Sequence, residues 1–408
     1  MRILFLTDNF PPETNAPATR TYEHARCWVA AGHEVTVLTN APNFPTGKIF
    51  PSYKNKLWQR EAMDGIAVVR VWTYITANEG FLRRSLDYFS FAVSGVLGGL
   101  FLPRPDVVVA TSPQIFTALA GCVLAWTWRR PFVLELRDLW PDSIVAVGAM
   151  QEGFLLRLLR RLEYWLYRRA AMIVSVTNSF KRILAANGIP AKKIVVVRNG
   201  VDFTTFAPGE KPHELARELG VEGKFVAAYV GTLGMAHGLD SLLSAAQRLR
   251  DRTDLVFILV GTGAERARLE RAAKQRGLDN VLFVGPVSKE LVRQYWRLCD
   301  AALVLLRDVP LFRHVIPSKI FEAMATGRPI VLGVSGESQE ILDDAGAGIA
   351  VPPGSPQALA EAVLRLADNP DLSRELGVAG RRYVERNFAR ERLASEMLHH
   401  LRGVVYES

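Results

Sequence analysis

The chain has 408 residues, of which 49% are hydrophobic, 22% charged and 9% aromatic, with a formal net charge of +9. That length suggests two domains at about 100 to 200 residues each, and the composition excludes a disordered or collagen-like protein. The three cysteines, Cys27, Cys122 and Cys299, stand far apart, which excludes a disulfide framework and a CxxC metal site.

The N-terminal RILFLTDNF reads as a strand, without the charged leader and small-residue cleavage site of a secretory signal, so a cytoplasmic protein is expected. From there, short β-branched runs bounded by turn residues alternate with helical patterns, the signature of βαβ units and parallel sheets. The expected strands of the first half are Ile3 to Thr7, Glu34 to Thr39, Ala67 to Trp72, Val107 to Thr111, Phe132 to Leu136, Met172 to Val176 and Ile194 to Val197. Within this half, the apolar stretch Leu86 to Leu102 falls just short of the roughly 20 residues a spanning helix needs, and is expected to be a buried or membrane-dipping helix. The segment Arg198 to Pro212 lacks periodicity and carries Gly and Pro, as an interdomain connection does. A second set of strands follows: Phe225 to Val230, Leu255 to Val260, Val281 to Val284, Ala301 to Leu305, Pro329 to Gly333 and Gly348 to Val351. The expected division is therefore 1–208, 209–388 and a terminal helix in 389–408, which can pack on its own domain or cross back to the first one.

Charge is unevenly spread. Residues 1–200 hold 24 Lys and Arg against 14 Asp and Glu, whereas the remainder holds 26 against 27. A basic half beside a neutral half points to an anionic partner surface. Nucleic acid fits the charge, but the sequence has no nucleic-acid module and no pattern of stacking aromatics, so no nucleic-acid partner is expected. The segment Gly153 to Met172 mixes Leu155, Leu158, Leu159, Leu162, Trp165 and Leu166 with Arg157, Arg160, Arg161, Arg168 and Arg169. A basic amphipathic helix of this kind can lie in the headgroup layer of an anionic membrane. With Arg83, Arg84 and the Leu86 to Leu102 stretch, it makes peripheral association with the inner face of the plasma membrane an expectation.

The loop after the first strand, DNFPPETNAPATR, contains no glycine, which argues against a GxGxxG dinucleotide site. It offers Asn15 as a helix cap, small Ala16, Pro17 and, one turn on, Arg20: a candidate anion site, or an ordinary capped helix with a surface arginine. Arg137 and Asp138 follow the fifth strand in LELRDLWPDS, at a strand end where such folds bind ligands. In the second half, VGTLGMAHG (230–238) and VGTGAERARL (260–269) put Gly231, Gly261 and Gly263 where strands turn into helices. In HVIPSKIFEAMATGRPIVLG (314–333), Pro317 precedes a helix whose first turn holds Ser318, Lys319 and Ile320, with Glu322 close behind. Free amides and the lysine can hold a phosphate while the carboxylate accepts two ribose hydroxyls. A plain amphipathic helix with a solvated Lys/Glu pair fits the same residues.

Two tandem halves, NGVD at their junction, glycine turns opening the second half and PSKIFEAMATGRPIV together resemble the GT-B glycosyltransferases of family 4, across essentially the whole chain. PPETNAPATR, PDVVVATSP and RDLWPDS resemble the bacterial transferases of O-antigen, capsule and exopolysaccharide assembly, some of which transfer N-acetyl-L-fucosamine or fucose. The resemblance implies two Rossmann-like α/β domains with a cleft between them and retaining transfer from a nucleoside-diphosphate sugar, UDP favoured. The donor is bound mainly by the C-terminal domain, and a lipid-linked saccharide acceptor mainly by the N-terminal one. The family's two-glutamate pattern ends at Glu322, expected on the ribose; where its first glutamate would stand, this chain has His314, which fits an N-acetylated 6-deoxyhexose better than glucose. The Arg and Lys that the family places in the first glycine turn are here Thr232 and His237, so Lys319, with the Ser318 and Lys319 amides, is expected to stabilise the leaving diphosphate, helped by Arg20 or Arg137. Backbone groups from Val284 to Val287 are expected around the base. In a front-face mechanism the donor phosphate itself takes the acceptor proton, so no side-chain base is named. Without a DxD pair at a strand end or a cluster with ligand spacing, metal-independent chemistry without a cofactor is expected. A nucleotide-sugar 2-epimerase or hydrolase, or a non-catalytic nucleotide-sugar-binding scaffold, are the alternatives the same architecture accommodates.

Overall fold

The computed structural model describes residues 1–44, 46–76, 81–146, 148 and 150–406. They form two compact units, Met1–Asn199 with Arg390–Ser408, and Gly200–Ala389.

The first unit is built on eight strands: β1 (Arg2–Leu6), β2 (Glu34–Asn40), β3 (Trp58–Met63), β4 (Ile66–Val71), β5 (Val107–Thr111), β6 (Phe132–Leu136), β7 (Met172–Ser175) and β8 (Ile194–Val196). They pair in the order β3-β4-β2-β1-β5-β6-β7-β8. Runs such as VVVAT and FVLEL are buried along their whole length, as strands covered on both faces must be. The antiparallel edge strand β3 was not among the expected elements, because WQREAM has no apolar periodicity; it is made by the turn Asp64–Gly65, both with positive φ, which folds it back onto β4. Helices α1 (Ala16–Ala30), α2 (Phe81–Gly99), α3 (Ile115–Trp128), α4 (Asp142–Ala146) and α5 (Phe154–Arg169) belong to this unit, with α3 packed against both α2 and α5.

The terminal helix Arg390–Tyr406 packs on α1. Leu393, Met397 and Leu401 join the core around Ile3, Phe5 and Trp28, and the Trp28 indole donates to Ala394 O at 2.8 Å. The units divide between Asn199 and Gly200, nine residues before the expected 208/209 boundary. The cause lies in the hydrogen bonds. Asn199 is held within the first unit by Arg20, whereas Val201 donates to Phe388 O at 3.0 Å and Asp202 is bonded by Thr204 and Thr205, all within the second. Gly and Pro thus mark a loop that already belongs to the second unit.

That unit carries β9 (Phe225–Val230), β10 (Leu255–Val260), β11 (Val281–Val284), β12 (Ala301–Leu305), β13 (Ile330–Gly333) and β14 (Gly348–Ala350), paired in parallel in the order β11-β10-β9-β12-β13-β14. Each sheet reverses its strand order once, at β1/β5 and at β9/β12, and the crevice outside the strand C-termini at such a reversal is where open α/β sheets bind ligands.

The two glycine turns of the second unit lie against each other. A Cβ on Gly261 would sit 2.1 Å from Gly231 O, and one on Gly263 2.4 Å from Leu233 O, while Leu233 donates to Thr262 O at 2.9 Å. Gly261 also has φ +132°, a conformation that side chains rarely adopt. Packing alone therefore requires glycine at both positions. Gly261→Ala should lower stability by roughly 1–3 kcal/mol from backbone strain, more if the turn cannot shift, as read by chemical denaturation; an unchanged midpoint would contradict this account of the turns.

Candidate active site

In the second unit, Gly231 follows β9 with φ +138°, and the short helix Lys319–Ala325 brings Lys319 beside it. The Lys319 Nζ lies 3.7 Å from the centroid of the buried Tyr229 ring, and a Cβ on Gly231 would stand 2.9 Å from that nitrogen. Gly231 thus clears the space the ammonium occupies. The nitrogen is itself buried and has no hydrogen-bond partner. Burial lowers its pKa to about 7 against the opposing pull of Glu322, and the electron-rich Tyr229 face favours the charged form in addition. A buried amine with no hydrogen-bond partner in the crevice at β9/β12 is a ready receptor for an anion.

Glu322 is half-buried and accepts a hydrogen bond of 3.0 Å from the indole of fully buried Trp296, which fixes the carboxylate. Trp296, on the helix Lys289–Leu298, was not singled out in the sequence, where it reads as one more core aromatic. His237 ends a short 3-10 turn, packs edge-on against Tyr229 at 5.7 Å and has Nδ1 3.4 Å from Leu305 O. Burial, then the neighbouring Lys319, depresses its pKa to about 3, so the ring is neutral and does not replace a cation there. Thr232 is exposed; its carbonyl accepts the Tyr229 hydroxyl at 2.8 Å.

The remaining expected donor residues are more dispersed in role. The side chain of Ile320 is fully buried and its N–H donates to Pro317 O at 3.1 Å, so it anchors the helix. Ser318 precedes that helix without a side-chain capping bond. His314 closes the 3-10 turn Pro310–His314 and is half-buried. Val284 O, at the end of β11, accepts from Gly261 N at 3.1 Å, and half-buried Val287 follows in the loop leading to the next helix.

In the first unit, Asn15 is the cap of α1, accepting from Ala18 N at 2.9 Å, and Ala16 is exposed. Arg20 corrects the expectation of an anion site. It is 1% exposed, and all three of its guanidinium nitrogens are engaged: Nε with Glu135 at 2.7 Å, Nη1 with Arg198 O and Asn199 Oδ1, Nη2 with Val197 O. One turn inward from the cap, the side chain points into the sheet rather than toward the loop.

Arg137 donates its N–H to Ser112 Oγ at 3.2 Å, and its Nη1 is buried without a partner. Burial draws its pKa down to about 10, with Glu135 opposing. Asp138 is engaged with Ser143 and the Leu139 N–H, and burial still leaves its pKa raised. Sequence reasoning passed over Asp8 and Gln114, which face each other across the β1/β5 reversal and are hydrogen-bonded. Burial raises the pKa of Asp8 to about 6, and that of Glu13, which accepts the Asn43 and Phe44 N–H groups, to about 7. The signal available for Asp8 was its place directly after β1. Among the described residues, no group of three or more His, Cys, Asp or Glu is arranged to hold a metal ion.

Arg20→Leu would leave Glu135 charged and buried, a loss of about 3–5 kcal/mol at neutral pH by chemical denaturation. Burial pushes the Glu135 pKa up but Arg20 and Arg137 outweigh it, so the net shift is downward. The pair therefore contributes its stability above the unfolded carboxyl pKa and loses it as pH falls through the folded one; the deficit of the variant should narrow toward pH 4, and a pH-independent deficit would exclude this cause.

Comparison with known proteins gives the family. Residues 15–200 match the glycosyl transferase 4-like domain and residues 211–383 the glycosyl transferases group 1 family. The chain is 26% identical over 415 residues to the putative colanic acid biosynthesis glycosyl transferase WcaI of Escherichia coli K12, covering 99% of this chain and 100% of that one. Its fold is shared with sucrose-phosphate synthase from Thermosynechococcus elongatus (TM-score 0.82, 19% identity, 100% of both chains). It is shared also with Anabaena HepE, solved in complex with UDP-glucose (TM-score 0.75, 19% identity, 99% of this chain and 100% of that chain). With both family matches spanning its two units in order, the chain belongs to the group 1 glycosyltransferases of GT-B fold.

Proposed function

We propose that this glycosyltransferase is a retaining enzyme that moves a sugar from a UDP-sugar onto a lipid-linked saccharide during cell-surface polysaccharide assembly. The observation that carries the donor reading is the buried, unpartnered Lys319 ammonium between Gly231 and Tyr229, three residues before a carboxylate fixed by Trp296. A diphosphate supplies the hydrogen-bond acceptors this lysine lacks, and Glu322 accepts the ribose hydroxyls. UDP is favoured over GDP because HepE, of the same fold, binds UDP-glucose; the polysaccharide context follows the name of WcaI, matched over its whole length.

As the bond from the anomeric carbon to the diphosphate oxygen breaks, negative charge grows on the leaving group, and Lys319 is worth more there than in the ground state. The acceptor oxygen bonds to the same carbon from the same face, and its proton passes to the departing phosphate. The cation is thus provided by the chain, and the reading is of metal-independent transfer. His314, in place of a carboxylate, suits an N-acetylated 6-deoxyhexose. Arg137 and Asp138 line the acceptor side, where the spare Nη1 of Arg137 can hold a hydroxyl or phosphate oxygen.

A membrane-facing surface fits the lipid-linked acceptor. Among the described residues, no helix is long and apolar enough to cross a membrane. Instead Phe154, Leu158 and Trp165 of α5 are exposed among Arg157, Arg161, Arg168 and Arg169, and Trp126 of the neighbouring α3 is 79% exposed. Such a mixture of aromatic, aliphatic and arginine side chains suits the headgroup layer of an anionic leaflet, and it supports the reading of a protein peripheral at the inner face of the plasma membrane.

UDP should raise the melting temperature of the wild type and leave that of Glu322→Ala unchanged, while Lys319→Ala should lower turnover much more than donor affinity, with transfer surviving EDTA. A GDP-only shift would reassign the nucleotide, unaltered turnover in Lys319→Ala would remove the leaving-group role, and UDP binding with no transfer to any lipid-linked acceptor would favour the scaffold reading.

A further inference from the structure

The stretch Leu86 to Leu102, expected to be a buried or membrane-dipping helix, is buried on one side only, at residues such as Phe91, Ala92 and Leu102. Leu86, Phe89, Val93, Leu97 and Phe101 follow the helical spacing down one side of α2 and just beyond it, and all are 44–81% exposed. Together with Leu57, Trp58 and Trp72 from the β3/β4 edge, part of this stripe encloses a groove of about 860 Å³, within the size range of small-molecule sites. Large apolar side chains contiguous on a surface mark a binding surface.

The two serines of the groove are already engaged, and its one charged side chain, Arg60, has its guanidinium 5.7 Å from the centroid of the Trp58 ring. Ser94 Oγ donates to Trp72 O at 2.5 Å and to Ser90 O at 2.8 Å; Ser90 Oγ donates to Asp87 O and accepts the Tyr74 N–H, both at 2.8 Å. Gly98 lets the helix press onto the sheet edge, since a Cβ there would stand 2.7 Å from Val71 Cγ1 and 3.0 Å from the Trp58 ring. A peptide backbone or a sugar would find few free hydrogen-bond partners, whereas a hydrocarbon needs none. The start of the same helix faces the polar crevice of the first unit: Arg84 favours the charged form of Asp8, and Asp8 raises the pKa of Asp87. Arg83 and Arg84 are both exposed at this end. One helix of 19 residues, about 28 Å long, therefore links an arginine-bearing polar end to an apolar trough.

We propose that this groove holds the hydrocarbon chain of the lipid-linked acceptor, with its phosphate at Arg83 and Arg84 and its sugars toward Asp8, Gln114 and Arg137. The assignment rests on the lipid-linked acceptor proposed above and adds where its chain lies. The acceptor being unidentified, the probe is farnesyl phosphate, titrated into the full chain and followed by tryptophan fluorescence, to which Trp58 and Trp72 contribute. Farnesyl phosphate should bind the wild type, inorganic phosphate should leave the fluorescence unchanged, and the double variant Val93→Asn, Leu97→Gln should bind farnesyl phosphate about tenfold more weakly or worse. Both positions are exposed, so the variant should keep the wild-type melting temperature and UDP shift. Absence of farnesyl phosphate binding, or equal binding by the double variant, would overturn the proposal. So would a variant that loses phosphatidylglycerol vesicles free of polyprenyl lipid while keeping farnesyl phosphate, which would give the groove to the bulk bilayer. Groove-dependent farnesyl phosphate binding without any UDP shift would support the groove and count against the donor reading alone.

Discussion

A lysine amine buried without a hydrogen-bond partner is the constraint around which the second unit is arranged. Desolvation makes its charge costly, and the protein reduces the cost only in part, by setting Lys319 over the face of Tyr229 and within reach of Glu322. The surroundings are shaped to admit it. Gly231 clears the space at its nitrogen, the Gly261 turn supports the Gly231 turn from behind, and His237 is kept neutral beside it. An incompletely compensated cation at a sheet reversal gives an arriving diphosphate more electrostatic work to do than a solvated lysine would, which is the difference between a binding group and a surface charge.

The first unit shows the opposite use of a buried cation. Arg20 is saturated: it bonds Glu135 in the middle of the sheet and three groups of the chain where it leaves β8. The pair anchors Val197–Asn199 to the sheet and leaves nothing for a ligand. The other buried polar groups near these strand ends are the bonded pair Asp8 and Gln114, after β1 and β5, and the spare nitrogen of Arg137, after β6. Burial with or without a full set of partners separates these two arginines, though both sit close to the same strand ends.

Much of this was legible in the sequence because fully buried parallel strands are written as short runs such as VVVAT and LVFILV, which few other structures explain. The segment from Pro317 to Glu322 was legible because a helix start with lysine and glutamate at that spacing carries chemistry as well as structure. What escaped did so for identifiable reasons. The polar strand β3 has no hydrophobic signature, and only the Asp64–Gly65 turn announced it. The role of Arg20 depends on Glu135 and on residues about 180 positions away, and a cap motif says nothing about such partners. Gly261 and Gly263 looked like ligand contacts, but their proximity to Gly231 and Leu233 shows that loop packing is enough to demand glycine. The exposed stripe of α2 has the same composition as a core helix, and only its position at a sheet edge makes it a surface.

Whether Lys319 waits for a diphosphate can be read from the protons exchanged when UDP binds. Calorimetric titrations at pH 8 in buffers of different ionisation enthalpy give that number. Free Lys319, with a pKa of about 7, is mostly neutral at pH 8, and a diphosphate beside it would restore its charge, so binding should take up about one proton, and Lys319→Met should abolish the uptake. Binding of UDP with no proton uptake, or with the same uptake in the variant, would contradict the account.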